Sequence, residues 1–409
     1  MSKSVEKFIT RYQQHVCQRQ SLNLPPKPLT VNDVRDLITE LEITKSISEK
    51  NDLYHILKNQ VVPGVDESTK LKAEYINSII TDKSYGISKN QAFKMLEYMQ
   101  GGYNIELAIQ YLKNYKQIDV KYHYHIITTI SNSILVYDYF NDVIEELERG
   151  NYLAKIIMNN WSNEFYKKRN NNNLSEIKLI VFKIPGEITT DDLSPASDVA
   201  TRPDIPLHAR SMLKTQRDGN YPDIIDHVGP LKFMTDLTSK SIVNPQQILF
   251  VCDVLGTGSA RKSATNSLLW NIGRDISHYP AKRNLGVVAA TNIAPIFHNT
   301  LRDSGTLILP ININQLKTGQ ELICRPYERI IYDRDNKITY DMNPELVNEL
   351  EVGGRLNHIM MINLKSKADE ILGLNKKQHI DNTKSTQLYS LAQKIVGKAC
   401  NQFGNKILL

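Results

Sequence analysis

The residues best placed to do chemistry are concentrated in one stretch, Gly256-Thr257-Gly258-Ser259-Ala260-Arg261-Lys262, which supplies a hydroxyl, two positive charges and two glycines. It comes after the apolar run Ile248 to Leu255 and precedes Ser267 to Gly273, so it reads as a buried strand, a glycine turn and a helix. Glycine lets the backbone turn sharply, and the first turn of a helix leaves N–H groups without intrahelical partners. Together these outline an anion site. With Ser259, Arg261 and Lys262 beside it, the fitting visitor is a carboxylate or phosphate that also needs proton chemistry. The stretch is not a P-loop, because the GxxxxGKS spacing is missing, and not GxGxxG, because no third glycine is present. Tight turns also use glycine for geometry alone, so the spacing leaves a purely structural corner open.

Other polar residues carry weaker signals. Asp191 and Asp192 could cap a helix, bind a cation or orient an arginine, and capping is the simplest reading. Arg202 lies in Thr201-Arg202-Pro203-Asp204-Ile205-Pro206-Leu207-His208, where two prolines are expected to hold the chain extended. An arginine so held is a natural bidentate clamp for a carboxylate, and a structural ion pair is the equal alternative from this segment alone. His298 could act as acid or base, with only sequence neighbours to recommend it. The cysteines Cys17, Cys252, Cys324 and Cys400 stand far apart, with neither a disulfide framework nor a local metal site, and Cys252 reads as a small buried residue in the strand before the loop.

The elements that must position these residues change character along the chain. Residues 1 to about 170 read as helices only. Thr30 to Asp33 has the form of a capping box, with Val34, Leu37, Ile38 and Leu41 then on one helix face. Ser88 to Gln91 starts a second such helix, with Ala92, Met95, Leu96 and Met99 on its apolar face and Gly101-Gly102 closing it. Further helical patterns cover Ile105 to Leu112, Tyr122 to Ile134, and Asp142 to Trp161. Lys167 to Asn173 is polar and reads as a linker, with contact to RNA or acidic partners as the lesser reading. From Glu176 the period changes. Ile177 to Ile184 is strand-like and Pro185 to Pro195 a polar loop. Leu285 to Ala290 and Leu307 to Ile313 read as further strands, with Ile293 to Thr300 as a loop or helix start, which implies an α/β domain. Ile330 to Tyr332 and Ile338 to Tyr340 flank a hairpin turn at Asp335-Asn336, and Val352-Gly353-Gly354-Arg355 is expected to turn into a last strand.

Composition sets outer bounds. With 409 residues and 41% hydrophobic content the chain can hold two or three ordinary domains. No apolar run approaches the roughly 18 residues of a membrane span, and the charged start at Met1 to Phe8 lacks a signal-peptide core. The expectation is therefore no membrane association and a cytoplasmic location. A net charge of +6, with 44 acidic residues in balance, permits nucleic-acid contact without arguing for it.

Taken together, the segments resemble the bacterial aconitase B family, bifunctional aconitate hydratases and 2-methylisocitrate dehydratases. In the first part the resemblance rests on Pro25 to Leu29, Val62 to Asp66 and Met99 to Asn104. In the second it rests on Thr190 to Pro195, Arg202 to His208, Gly256 to Ser259, Arg261 to Ser267 and Ala294 to Phe297. It implies a multidomain α and α/β protein: a HEAT-like α-helical superhelix over 1–173, an aconitase swivel domain over 174–388, and over 389–409 the opening of the iron–sulfur catalytic region. Asn401 to Leu409 departs from the family pattern, and a truncated or interrupted product is the expectation.

Carried over by position, Ser259 matches the serine that acts as base in aconitases. Arg202 and Arg261 match substrate-binding arginines. Family loops commonly read Gly-Ser-Ser-Arg, and here Ala260 replaces the second serine, so weakened substrate binding with the base retained is expected. The resemblance implies a 4Fe–4S cluster in the full-length family, with cysteine ligands that this chain does not supply. It also implies tricarboxylate substrates (citrate, cis-aconitate, isocitrate) in the tricarboxylic acid cycle, a homodimer through the HEAT-like part and messenger-RNA binding; if the C-terminal half is separately encoded, the two chains could reassemble. The reading is a hydro-lyase by family, inactive as an isolated chain. A non-catalytic dimerisation or RNA-binding module is the alternative, and a degenerate product without a role is the third.

Overall fold

The computed structural model describes residues 7–64, 66–99, 102–164, 174–215, 229–239, 246–333, 336–340 and 342–374. The expected linker at Lys167 to Asn173 and the segment 389–409, Cys400 included, lie outside the described residues.

The first part is helical: α1 (Phe8–Ser21), α2 (Val31–Ile43), α3 (Ile47–Asn59), α4 (Glu67–Ile80), α5 (Lys89–Tyr98), α6 (Gly102–Lys113), α7 (His123–Asn132), α8 (Phe140–Glu148) and α9 (Tyr152–Ser162). Both expected capping boxes are present, Thr30 with Asp33 and Ser88 with Gln91. Val34, Leu37 and Leu41 are fully buried, as the helical period requires. Two expectations are corrected. The helix starting at Ser88 ends at Tyr98, and Gly102 opens α6 instead of closing α5. The buried Asn104 amide donates to the carbonyls of Leu96 (2.9 Å) and Met99, satisfying the end of α5 from the next helix. The single helix expected over Asp142 to Trp161 is two, because Gly150 takes φ +79° and the Asn151 side chain accepts from Leu153 N (3.0 Å) to start α9.

The second part is built on a seven-stranded sheet in the order β6-β5-β2-β1-β7-β8-β9. Its strands are β1 (Ile177–Thr189), β2 (Gln247–Thr257), β5 (Val287–Ile293), β6 (Leu307–Ile308), β7 (Glu321–Arg325), β8 (Ile330–Asp333) and β9 (Asn336–Thr339); the short pair β3 (Arg274–Asp275) and β4 (Arg283–Asn284) stands apart. β1, β2, β5 and β6 run parallel, and β7 to β9 add an antiparallel flank. Alternation decides which side chain faces which layer. Leu179 and Val181 of β1 point to one face with Leu249 and Val251 of β2; Ile180, Phe182, Phe250 and Cys252 point to the other. The first face packs under Leu309, Ile313 and α15 (Pro344–Glu351). The second packs under α12 (Pro230–Ser239), α13 (Arg261–Ile272) and α14 (Pro295–Asp303). Two short helices, α10 (Thr190–Leu193) and α11 (Ile205–His208), come after β1.

Here too the structure departs from expectation. β1 continues to Thr189 through Pro185 and Gly186, with its register shifted between Ile184 and Glu187; Gly186 N donates to the Asp253 carboxylate at 2.5 Å in place of a ladder bond. β6 stops at Ile308: Leu307 N and Leu309 N donate to Gly286 O and Val288 O, but Ile311 N, next in that series, turns back to Leu309 O (3.0 Å). Arg202 to His208 is not extended: Pro206 sits in the first turn of α11. Val352 to Arg355 turns into a helix, α16 (Arg355–Ile371), not a strand. Met361, Leu364 and Ala368 are buried at helical spacing, and Leu364 and Ala368 join the core of the helical part. There Lys365 Nζ donates to Ser162 O (2.8 Å) and Ser162 Oγ to Asp369 (2.5 Å), so α16 packs back onto α9.

Candidate carboxylate-binding site

At the C-terminal end of β2 the chain needs glycine twice. Gly256 has φ +83°, and a Cβ there would stand 2.0 Å from the buried Phe297 ring. Gly258 has φ +111°, and its Cβ would stand 2.3 Å from Thr190 Oγ1. The loop is thereby pressed between α14 and the start of α10, leaving Ser259 exposed at its tip. Ala260 is the N-cap of α13 and has no side chain with which to cap it. The N–H groups at the start of α13 are therefore not occupied by a side-chain cap, and Arg261 and Lys262 flank them. Lys282 adds a further cation: burial, then the charge of Lys262, lowers its pKa.

Beneath the loop runs a partly buried polar chain, with Ser194 and His208 buried. Ser263 Oγ donates to Ala260 O (3.1 Å) and accepts from Ser194 Oγ (2.9 Å). Ser194 in turn meets His208 Nε2 at 2.7 Å, and Thr201 Oγ1 meets Nδ1 at 2.8 Å. Burial, and then the positive charge of Arg202, lower the His208 pKa. The lowered pKa favours the neutral ring, which is held at both nitrogens, while the Thr201 hydroxyl also donates to Asp198 O (2.8 Å). Arg202 lies against this chain, its Nη2 3.4 Å from Ser194 O and its Nε buried with no hydrogen-bond partner among the described residues.

The ion pair weighed for this segment belongs instead to Asp204, which binds Arg19 of α1. Asp191 and Asp192 act as caps: Asp192 closes a capping box with Thr189 (N to Oδ2, 2.8 Å) and Asp191 accepts from Ala196 N (2.9 Å). His298 lies on α14; burial and then Arg302 lower its pKa, and its other charged neighbours are Glu349 and Arg355, away from the Ser194 chain. The structure thus links Arg202 to the Ser259–Arg261 loop through Ser194 and Ser263. Sequence reasoning did not single out Ser194, His208 as a network member, Ser263 or Arg19. Their partners lie far off in the chain, and no local period marks such pairs.

The described cysteines do not fit a 4Fe–4S cluster. Cys252 and Cys324 sit in the cores on opposite faces of the sheet, and Cys17 is exposed on α1. Burial pushes the Cys324 thiol up to about 11, and it lies 3.4 Å from Tyr340 Oη. Among the described residues no three His, Cys, Asp or Glu side chains gather as a metal site.

A helical part joined to a mixed sheet, with a glycine loop and helix N-terminus at the end of a parallel strand, defines a protein of α and α/β parts. Comparison narrows the class. Residues 11–166 match the model of the aconitate B N-terminal domain, and residues 179–390 match that of the aconitate hydratase 2 N-terminus. Aconitate hydratase B of Escherichia coli is 37% identical over 407 residues, covering 97% of this chain and 46% of that protein. The namesake of Synechocystis is 36% identical over 406 residues (97% and 45%), and that of Helicobacter pylori 37% over 409 (97% and 45%). A solved 3-isopropylmalate dehydratase from Methanocaldococcus jannaschii is similar at 18% identity and a TM-score of 0.32, over 47% of this chain and 98% of its own. The chain belongs to the aconitate hydratase B family, a family of hydro-lyases. It spans about half the length of the relatives it matches.

Proposed function

We propose that this chain supplies the carboxylate-binding face and the proton-moving serine of an aconitate hydratase, acting on citrate, cis-aconitate and isocitrate. The observation that carries the reading is the buried Nε of Arg202, without a partner among the described residues, beside a helix N-terminus that its N-cap Ala260 leaves without a side-chain cap. A buried donor without an acceptor costs about 1–3 kcal/mol, a cost that an incoming carboxylate removes. Arg202 and Arg261 would then take substrate carboxylates, with the N–H groups of α13 contributing dipoles. Ser259 would take the proton from the carbon next to a carboxylate; the surrounding cations and N–H groups lower the cost of its alkoxide-like state. The absence of a hydroxyl on Ala260 weakens substrate binding and leaves the base in place. In this reading the helical part is HEAT-like, 174–388 is the swivel domain, and complete hydration requires the family's cluster region.

Two measurements test it. Citrate titrated calorimetrically into the chain should bind, and Arg202→Gln should weaken binding about tenfold or more, the 1.4 kcal/mol that a lost charged hydrogen bond exceeds. Mixing the chain with the separately produced C-terminal half of a relative should restore cis-aconitate hydration, and Ser259→Ala should abolish that activity while retaining citrate binding. Equal citrate binding by the Arg202→Gln, Arg261→Gln and unaltered chains would refute the assignment.

A further inference from the structure

Asp204 lies two residues from Arg202, and its carboxylate is gripped from the helical part of the molecule. Arg19, in the last turn of α1, donates Nη1 to Oδ2 (2.8 Å) and Nη2 to Oδ1 (2.9 Å), with side chains only 7% and 12% exposed. Its Nε donates to Pro25 O at 2.7 Å, which orients the guanidinium from the helical side. Asp204 Oδ1 also accepts from Leu207 N (3.3 Å), capping α11, and Lys27 Nζ stands 3.7 Å from Oδ2. The turn between is tied at both ends: Arg202 N donates to Val199 O (3.2 Å), Asp204 N donates to Thr201 O (2.9 Å), and Thr201 meets His208.

We propose that Arg19 is a positioning residue for Arg202, setting its direction through the bidentate grip on Asp204. A two-point fork fixes the plane and angle of a carboxylate, whereas a lysine ammonium would fix only its distance. Buried ion pairs contribute little net stability after desolvation, and geometric specification is their better-attested use. Pro203 stiffens the step between the gripped carboxylate and the guanidinium. The helical part thereby reaches the site through Asp204. The consequence for substrate rests on the carboxylate reading above; the positioning itself rests on geometry alone.

The test uses the full chain labelled with 15N-arginine, in the unaltered form and as Arg19→Lys, Arg19→Met, Arg202→Gln and Arg19→Lys/Arg202→Gln. The first readout is hydrogen exchange at the Arg202 Nε–H, identified by its loss in Arg202→Gln. The second is citrate affinity. In both Arg19 single variants exchange at Arg202 should accelerate about tenfold and citrate affinity should fall about tenfold. With Arg202 already replaced, Arg19→Lys should have no further effect on citrate. Unchanged exchange at Arg202 in the Arg19 variants overturns the inference, as does an equal loss of affinity with and without Arg202, which marks a merely structural role. Should Arg19→Met fail to fold, Arg19→Lys and Asp204→Asn decide it by the same readouts. Accelerated exchange in a chain that binds no citrate would leave the positioning standing and overturn the carboxylate reading instead.

Discussion

Replacing Gly256 by alanine attacks the loop at its tightest point. The φ of +83° is one that an L side chain rarely adopts, and holding a non-glycine residue there costs roughly 1–2 kcal/mol. The added Cβ would also fall 2.0 Å from Phe297 Cδ1 and 2.2 Å from Cγ, inside a ring that is fully buried beneath α14. The ring cannot withdraw, because Phe297 belongs to the core that α13 and α14 share with β2. Overpacking of this kind costs about 1–3 kcal/mol. The sum is about 2–5 kcal/mol, or a fall in the melting temperature on the order of 10 °C for a domain of this size. Urea unfolding monitored by tryptophan fluorescence and by circular dichroism should read it directly. Repeating the substitution in a Phe297→Ala background separates the two terms, since with the ring gone only the backbone cost of about 1–2 kcal/mol should remain. A Gly256→Ala chain within about 0.5 kcal/mol of the unaltered one would refute the argument. An equal cost in both backgrounds would refute its steric half.

Other perturbations test separate parts of the molecule. Lys72 is buried in α4 with Lys58 O at 3.3 Å as its acceptor, and burial pushes its pKa down from 10.5 to about 7. The unfolded chain therefore binds more protons between pH 7 and 10.5, so this lysine makes stability rise with pH across that window. Lys72→Met should flatten the rise and stabilise the chain near pH 6, measured as urea midpoints at pH 6, 7.5 and 9.5; an unchanged slope would sink the assignment. Ala260→Ser returns a hydroxyl to the N-cap of α13. A hydrogen bond to a charged ligand contributes about 1.5–3 kcal/mol, so citrate should bind about tenfold tighter by calorimetry; unchanged affinity would mean that the hydroxyl caps α13 instead of meeting the ligand.

How much of this was legible in advance depended on the range of the interaction involved. Helix starts at Thr30 and Ser88 were readable because a capping box closes within four residues. The strand, glycine turn and helix around Gly256 were readable because alternation, φ-permissive residues and helical period are all local signals. The failures were local signals overruled from elsewhere. Two prolines in Arg202 to His208 read as extended, but Pro206 serves the first turn of α11, where its missing N–H has no consequence. Gly353-Gly354 reads as a turn into a strand, yet Met361, Leu364 and Ala368 beyond it are buried at helical spacing, Leu364 and Ala368 against the core of the helical part.

The sequence by itself determined the family, the two kinds of architecture, and the residue types at the loop: hydroxyl, cations and glycines in an order that outlines an anion site. The tertiary structure alone decided which of them meet. It took the ion pair that Arg202 could have made and gave it to Asp204 and Arg19, 185 residues apart. It joined Ser194 to Ser263 across 69 residues, and brought α16 back onto α9. Such pairings are chosen by the packing of whole layers, because a buried charge or hydroxyl must find a partner wherever the core closes around it.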